Sequence, residues 1–114
     1  MHSIEYELML DFEITPQELK TKLDQGEDVF ILDVRGEDEF DIVNLNGYVI
    51  PLSELEQRLN ELDKKRHIIV HCHHGVRSAK ATQFLRENGF SHVQSLAGGI
   101  DQWAEEIDPK MKRY

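Results

Sequence analysis

Short β-branched apolar runs alternate along this chain with segments whose apolar residues recur at helical spacing. The runs are Val29-Phe30-Ile31-Leu32, Ile68-Ile69-Val70 and Val93-Gln94-Ser95-Leu96. The first two are apolar throughout, as strands buried on both faces are, instead of alternating. Thr15-Pro16-Gln17-Glu18 predicts a helix start: Thr15 is the N-cap, Pro16 takes the first helical position and Glu18 completes a capping box. Leu19 and Leu23 then share a face, and Gly26 supplies the stop. Ser53 with Glu56 predicts another capped helix, whose Leu55, Leu59 and Leu62 form a buried stripe. Glu37-Asp38-Glu39-Phe40 predicts a short acidic helix anchored by Phe40, its charges facing solvent. A further helix runs from Ala79 to a Gly89 cap, and Gly98-Gly99 precede the last, over 100–107, with Trp103 in the core. Strands at 29–32, 67–71 and 93–96 alternating with helices predict an α/β fold, a parallel sheet covered on both faces.

A length of 114 residues suits one domain, and 39% hydrophobic content supplies a core. The expected layout is an extension or first strand over 1–14, a domain over 15–107 and a tail over 108–114. A net charge of −9 argues against nucleic acid or a membrane surface as partner, since either needs a basic face. No apolar run approaches the roughly 18 residues of a membrane span, and the opening MHSIEYELMLDFEI lacks the layout of a signal peptide. A single cysteine excludes an internal disulfide, and the cytoplasm is the expected location.

That cysteine, Cys72, falls where the 67–71 strand ends and a loop delivers the chain into a helix. A lone cysteine is more often a small buried hydrophobe than a nucleophile. Its position reverses that expectation. The first turn of a helix leaves amides without partners and carries partial positive charge, which stabilises a facing thiolate. Gly75 permits a tight curl, Arg77 brings permanent charge, and His73, His74 and Val76 complete a loop suited to cradling an anion. Asp33 and Arg35 lie beyond the end of the 29–32 strand, on the edge where open α/β sheets place ligands. They are read as a structural ion pair, with positive potential from Arg35 as the alternative.

Cys72-x-x-Gly75-x-Arg77-Ser78-Ala79 after a hydrophobic strand resembles the active-site loop of rhodanese-type sulfurtransferases. The likeness extends to Leu32-Asp33-Val34-Arg35 and to Leu96-Ala97-Gly98-Gly99-Ile100 with Trp103. The segment from Val43 to Pro51 departs from the common family pattern, with Asn44 where many members carry His and Tyr48 where they carry Ala. Together with Asp108-Pro109-x-x-x-Arg113-Tyr114, this variant is similar to rhodanese domains fused to ubiquitin-activating-type adenylyltransferases. The resemblance implies a five-stranded, mainly parallel sheet. It also implies transfer of sulfane sulfur from thiosulfate or a persulfide, through a Cys72 persulfide, to a nucleophilic acceptor such as a protein of a sulfur relay. Amides of residues 73 to 77 would surround the sulfur; Arg77 would bind a donor's oxygens or hold the loop by its carbonyls. Such displacement needs no metal and no organic cofactor.

Two rivals remain. A non-catalytic module would keep the fold and bind a partner in a sulfur-relay or adenylyltransferase pathway. A cysteine phosphatase, a related loop, spaces Cys and Arg by five residues; here four separate Cys72 from Arg77, a tighter ring suited to one sulfur atom. His71, His73 and His74 invite a zinc reading, but His71 and Cys72 are neighbours on a strand end and point to opposite faces. No metal is expected, and His73 and His74 are read as the pocket rim.

Overall fold

The computed structural model describes residues 10–114. Five parallel strands form one sheet: β1 (Glu13–Ile14), β2 (Val29–Asp33), β3 (Tyr48–Val49), β4 (His67–His71) and β5 (Val93–Leu96), in the order β1-β5-β4-β2-β3. The α-helices are α1 (Pro16–Asp24), α2 (Glu37–Ile42), α3 (Val76–Glu87) and α4 (Gly99–Glu106), with 3₁₀ turns over Leu52–Glu54 and Glu56–Glu61. The predicted five-stranded α/β architecture is the one observed.

The alternation of β4 explains why both faces are covered. Ile68 and Val70 turn to one side, where Leu32, Val93, Ala81 and Leu85 of α3, and Leu55 and Leu62 enclose them. Ile69 turns to the other, against Ile14, Leu19 of α1, Leu96 and Trp103 of α4. Such a strand has no solvent face, so its sequence is apolar throughout. Cys72 continues the first side and belongs to that cluster.

α1 starts as expected: the Glu18 N–H donates to Thr15 Oγ1, and the Thr15 N–H donates to the Glu18 carboxylate. Leu19 is buried, but Leu23 is 42% exposed, so the helix meets the core through its first turns only. The Ser53 cap is corrected. Leu52 N–H already donates to Val34 carbonyl, extending the sheet edge, and Ser53 falls inside a 3₁₀ turn with no side-chain cap. The leucine stripe survives this change, with Leu55 and Leu62 buried and Leu59 packed against them. Of the expected first segment, Glu13–Ile14 pairs with β5, and residues 1–9 lie outside the described part.

Candidate active site at the carboxyl end of the sheet

Cys72 follows the central strand directly, and two helices define the loop after it. α4 supplies the first. Its leading amides have no partners within the helix, and the Ile100 N–H donates to the Cys72 carbonyl (2.9 Å), the Asp101 N–H to the His73 carbonyl (3.1 Å). The approach is close enough to need Gly99: at φ +65°, an added Cβ would strike the His73 carbonyl and lie 2.7 Å from the Cys72 oxygen. With those carbonyls turned outward, loop amides turn inward. The Gly75 N–H donates to Cys72 Sγ at 3.1 Å and the Ser78 N–H at 3.3 Å. Gly75 itself stands at φ +109°, the turn that reverses the chain into α3.

This refines the expected cradle of residues 73 to 77. Gly75 is one donor, but the second is Ser78, because α3 begins at Val76 instead of Ala79 and its first turn is already formed beneath the sulfur. Ser78 acts twice. Its hydroxyl lies 3.5 Å from Cys72 Sγ and 2.8 Å from the Ser95 hydroxyl of β5, and it donates to the Gly75 carbonyl at 3.2 Å. The sulfur thus faces two backbone N–H donors in a buried setting, an arrangement that stabilises negative charge on it. Cys72 is only 1% exposed, so these groups hold the sulfur below the surface.

Arg77 neither closes the ring nor binds loop carbonyls. Its guanidinium makes a two-pronged pair with Glu39 of α2, Nη1 to Oε1 at 2.8 Å and Nη2 to Oε2 at 2.9 Å. Glu39 is therefore not part of a solvated charge run. The Arg77 hydrogen bonds, opposed by burial and helped by Tyr114 and the Gly36 N–H, hold its carboxyl at about 2 against an ordinary 4.5. Glu37, Asp38 and Asp41 do face solvent, and Phe40 is half-buried.

Asp33 and Arg35 form a fully buried pair beside this cluster. The Asp33 carboxylate accepts from the Arg35 backbone N–H (3.0 Å), Nε (2.9 Å) and Nη2 (2.7 Å). Arg35 also donates to the carbonyls of Glu39 and Val43 and to the Tyr114 hydroxyl, tying α2 to the sheet. Its side chain is fully buried and its charge is met by Asp33. His71, opposite Asp33 in register, is buried with Nε2 3.6 Å from Asp33 Oδ2, and burial pushes its pKa below the usual histidine range.

The remaining predicted residues sit on the rim. Val76 is 66% exposed. The His73 ring is stacked between His74 (centroids 3.9 Å apart) and Tyr114 (3.8 Å, planes 5° apart). His73, His74 and Asp101 bring potential metal-ligating atoms within 4.8 Å of one another. Arg113, however, already engages both Asp101 oxygens at 2.9 and 3.0 Å, putting a cation where a metal would need that carboxylate. A hollow of about 530 Å³ between α1 and Gln94 has no part of Cys72 in its lining.

Ser78, Ser95, Glu39 and Tyr114 had no assigned role from the sequence. Ser78 had a signal, its place in the loop motif. Tyr114 had one in the Asp108-Pro109-x-x-x-Arg113-Tyr114 pattern, which gave no contact, and Glu39 had none, since its partner Arg77 is 38 residues away along the chain.

The chain matches the Rhodanese-like domain model over residues 15–106. It is 39% identical over 104 residues to a probable adenylyltransferase/sulfurtransferase MoeZ of Mycobacterium tuberculosis, a match covering 89% of this chain and 26% of that protein. The chain thus spans about a quarter of that relative's length. A rhodanese-like domain protein from Staphylococcus aureus superposes with a TM-score of 0.77 at 31% identity, over 91% of this chain and 99% of that one. A thiosulfate sulfurtransferase from Pseudomonas aeruginosa gives a TM-score of 0.77 at 28% identity, over 89% of this chain and 20% of that one.

Proposed function

Because the chain belongs to the rhodanese-like domain family, we propose that it is a sulfurtransferase carrying sulfane sulfur as a Cys72 persulfide. The observation that carries this reading is the pair of amides, from Gly75 and Ser78, directed at the Cys72 sulfur. The Cys72 thiolate attacks the outer sulfur of thiosulfate or of a persulfide donor. The new S–S bond forms as the old one breaks, and sulfite or a thiolate leaves with the bonding pair. The persulfide's terminal sulfur is anionic, and preorganised donors suit it as they suit any developing charge. An acceptor nucleophile then takes that sulfur and returns Cys72 to the thiolate, so turnover is ping-pong.

Thiosulfate is the activity named for one structural neighbour, and a protein acceptor in a sulfur relay fits the adenylyltransferase-linked relative. A reducing, cytoplasmic setting would keep the single thiol available. Among the described residues no helix is long and apolar enough to cross a membrane. Burial of Cys72 favours a second reading, a module that docks a partner and performs no chemistry. The test is steady-state assay with thiosulfate and cyanide beside para-nitrophenyl phosphate. Thiocyanate formation that vanishes in Cys72→Ser supports the proposal; turnover of the phosphate alone overturns it.

A further inference from the structure

A hollow of about 360 Å³ runs along the cluster that encloses Cys72: Val34 and Leu52 line it, and both pack in that cluster. Pro51 and Ser53 extend this lining with an apolar ring and a hydroxyl. Two guanidiniums border the same hollow, those of Arg35 and Arg77, and neither brings it free charge. Asp33 takes Nε and Nη2 of Arg35, and Glu39 takes Nη1 and Nη2 of Arg77. Neither carboxylate belongs to the lining. The space beside the thiol's cluster therefore has cations at its border whose charge is already met from behind.

Of the two, Arg77 is the one placed to serve the sulfur. It directly precedes Ser78, whose N–H donates to Cys72 Sγ, and attraction to Cys72 adds to the Glu39 hydrogen bonds in raising its pKa. Glu39 is firmly fixed: besides both Arg77 contacts, Oε1 accepts from the Gly36 N–H at 3.2 Å and Oε2 from the Tyr114 hydroxyl at 2.8 Å. As part of the chain it also loses no translational freedom when it binds, whereas an oxyanion arriving from solvent does. Donors differ in what they ask of Arg77. When the Cys72 thiolate attacks thiosulfate, the new S–S bond forms as a doubly charged sulfite leaves with the old bonding pair. With an alkyl persulfide the same displacement expels a singly charged thiolate, and the terminal proton stays on the transferred sulfur. A free guanidinium fork helps the first far more than the second. We propose that Glu39 is a positioning residue that selects the sulfur donor. By holding both prongs of Arg77 it withholds that cation from oxyanions such as thiosulfate, and it leaves the site fitted to persulfides of uncharged thiols. The selection rests on reading Cys72 as the sulfur-transfer nucleophile.

Two measurements on the wild type, Glu39→Gln and Glu39→Gln/Arg77→Gln test this, with thermal unfolding to show that each is folded. The first is kcat/KM for thiosulfate with cyanide as acceptor, which in a ping-pong scheme reports the donor half-reaction alone. The second is the ratio of Cys72 alkylation rates by iodoacetate and iodoacetamide, reagents of similar size that differ in charge. Changes in access to the thiol or in its ionisation cancel in that ratio. Freeing Arg77 in Glu39→Gln should raise both quantities roughly tenfold, about what one charged hydrogen bond contributes. In the double variant the site again lacks net charge, and both should return to the wild-type values. Both quantities unchanged in folded Glu39→Gln, or a gain that survives in the double variant, overturns the proposal. If Glu39→Gln does not fold, Glu39→Asp decides, since it keeps the charge but draws the carboxylate back and should raise both quantities. A raised alkylation ratio in a protein that transfers no sulfur would sink the sulfurtransferase reading and leave the hold of Glu39 on Arg77 standing. Thiosulfate turnover with neither quantity moved by Glu39→Gln would do the reverse.

Discussion

Replacing Asp33 with alanine tests how the walls of the site are held, and its cost follows from the contacts. Both Asp33 and Arg35 side chains are fully buried. Asp33→Ala removes the acceptor for three Arg35 donors, including the 2.7 Å contact to Nη2, and leaves a guanidinium facing only neutral oxygens of Glu39, Val43 and Tyr114. Burial pulls the Arg35 pKa down, but hydrogen bonds to Asp33 and Tyr114 outweigh it, so the group stays charged and the charge stays buried. An uncompensated buried charge of this kind costs about 3–5 kcal/mol. Against a total stability of about 5–15 kcal/mol, that is a large fraction. With a urea slope of about 1–3 kcal/mol per molar, the unfolding midpoint should fall by roughly 2 M. The double variant Asp33→Leu/Arg35→Met removes the charge together with its partner and should lose less than the single variant. A loss below about 1 kcal/mol in Asp33→Ala, the range of an exposed pair, would refute the reasoning.

Two further outcomes follow from the same geometry. Glu39 has a folded pKa of about 2 against 4.5, so the stability it contributes is complete above the ordinary value and is lost as pH falls from 4.5 toward 2. The stability difference between wild type and Glu39→Gln should therefore shrink over that window, and a difference independent of pH would contradict the pairing with Arg77. In Gly99→Ala the new Cβ meets backbone oxygens of Cys72 and His73, which cannot rotate away. Chemical denaturation should show about 1–3 kcal/mol of destabilisation, as overpacking costs, and thiosulfate turnover should fall with it; an unaffected variant would show that α4 does not fix the loop.

The features legible in the sequence are those decided within a few residues. The Thr15–Glu18 cap and the curl from Cys72 to Gly75 have their partners nearby, so pattern and structure agree, while β4 is legible because burial on both faces leaves it apolar throughout. The Ser53–Glu56 pattern fits a capping box equally well, yet the Leu52 N–H bonds Val34 across the sheet edge and that long-range contact sets the backbone instead. Charge misled in the same way. Glu37, Asp38 and Glu39 look alike in a line of acidic residues, and only the return of α3 beside α2 singles out Glu39 for Arg77. For Arg77, the residue type implied a permanent charge at the loop, but not the carboxylate that occupies it. Tyr114 reaches Glu39 across 75 residues of chain, and its place over the loop exists only once the domain has folded.

Intact-mass spectrometry of the reduced protein after exposure to thiosulfate tests the central claim most directly. The account predicts the gain of one sulfur atom, removed by cyanide and absent in Cys72→Ser. A folded, reduced protein that takes up no sulfur from thiosulfate or from a persulfide donor, with Cys72 still open to alkylation, would contradict it.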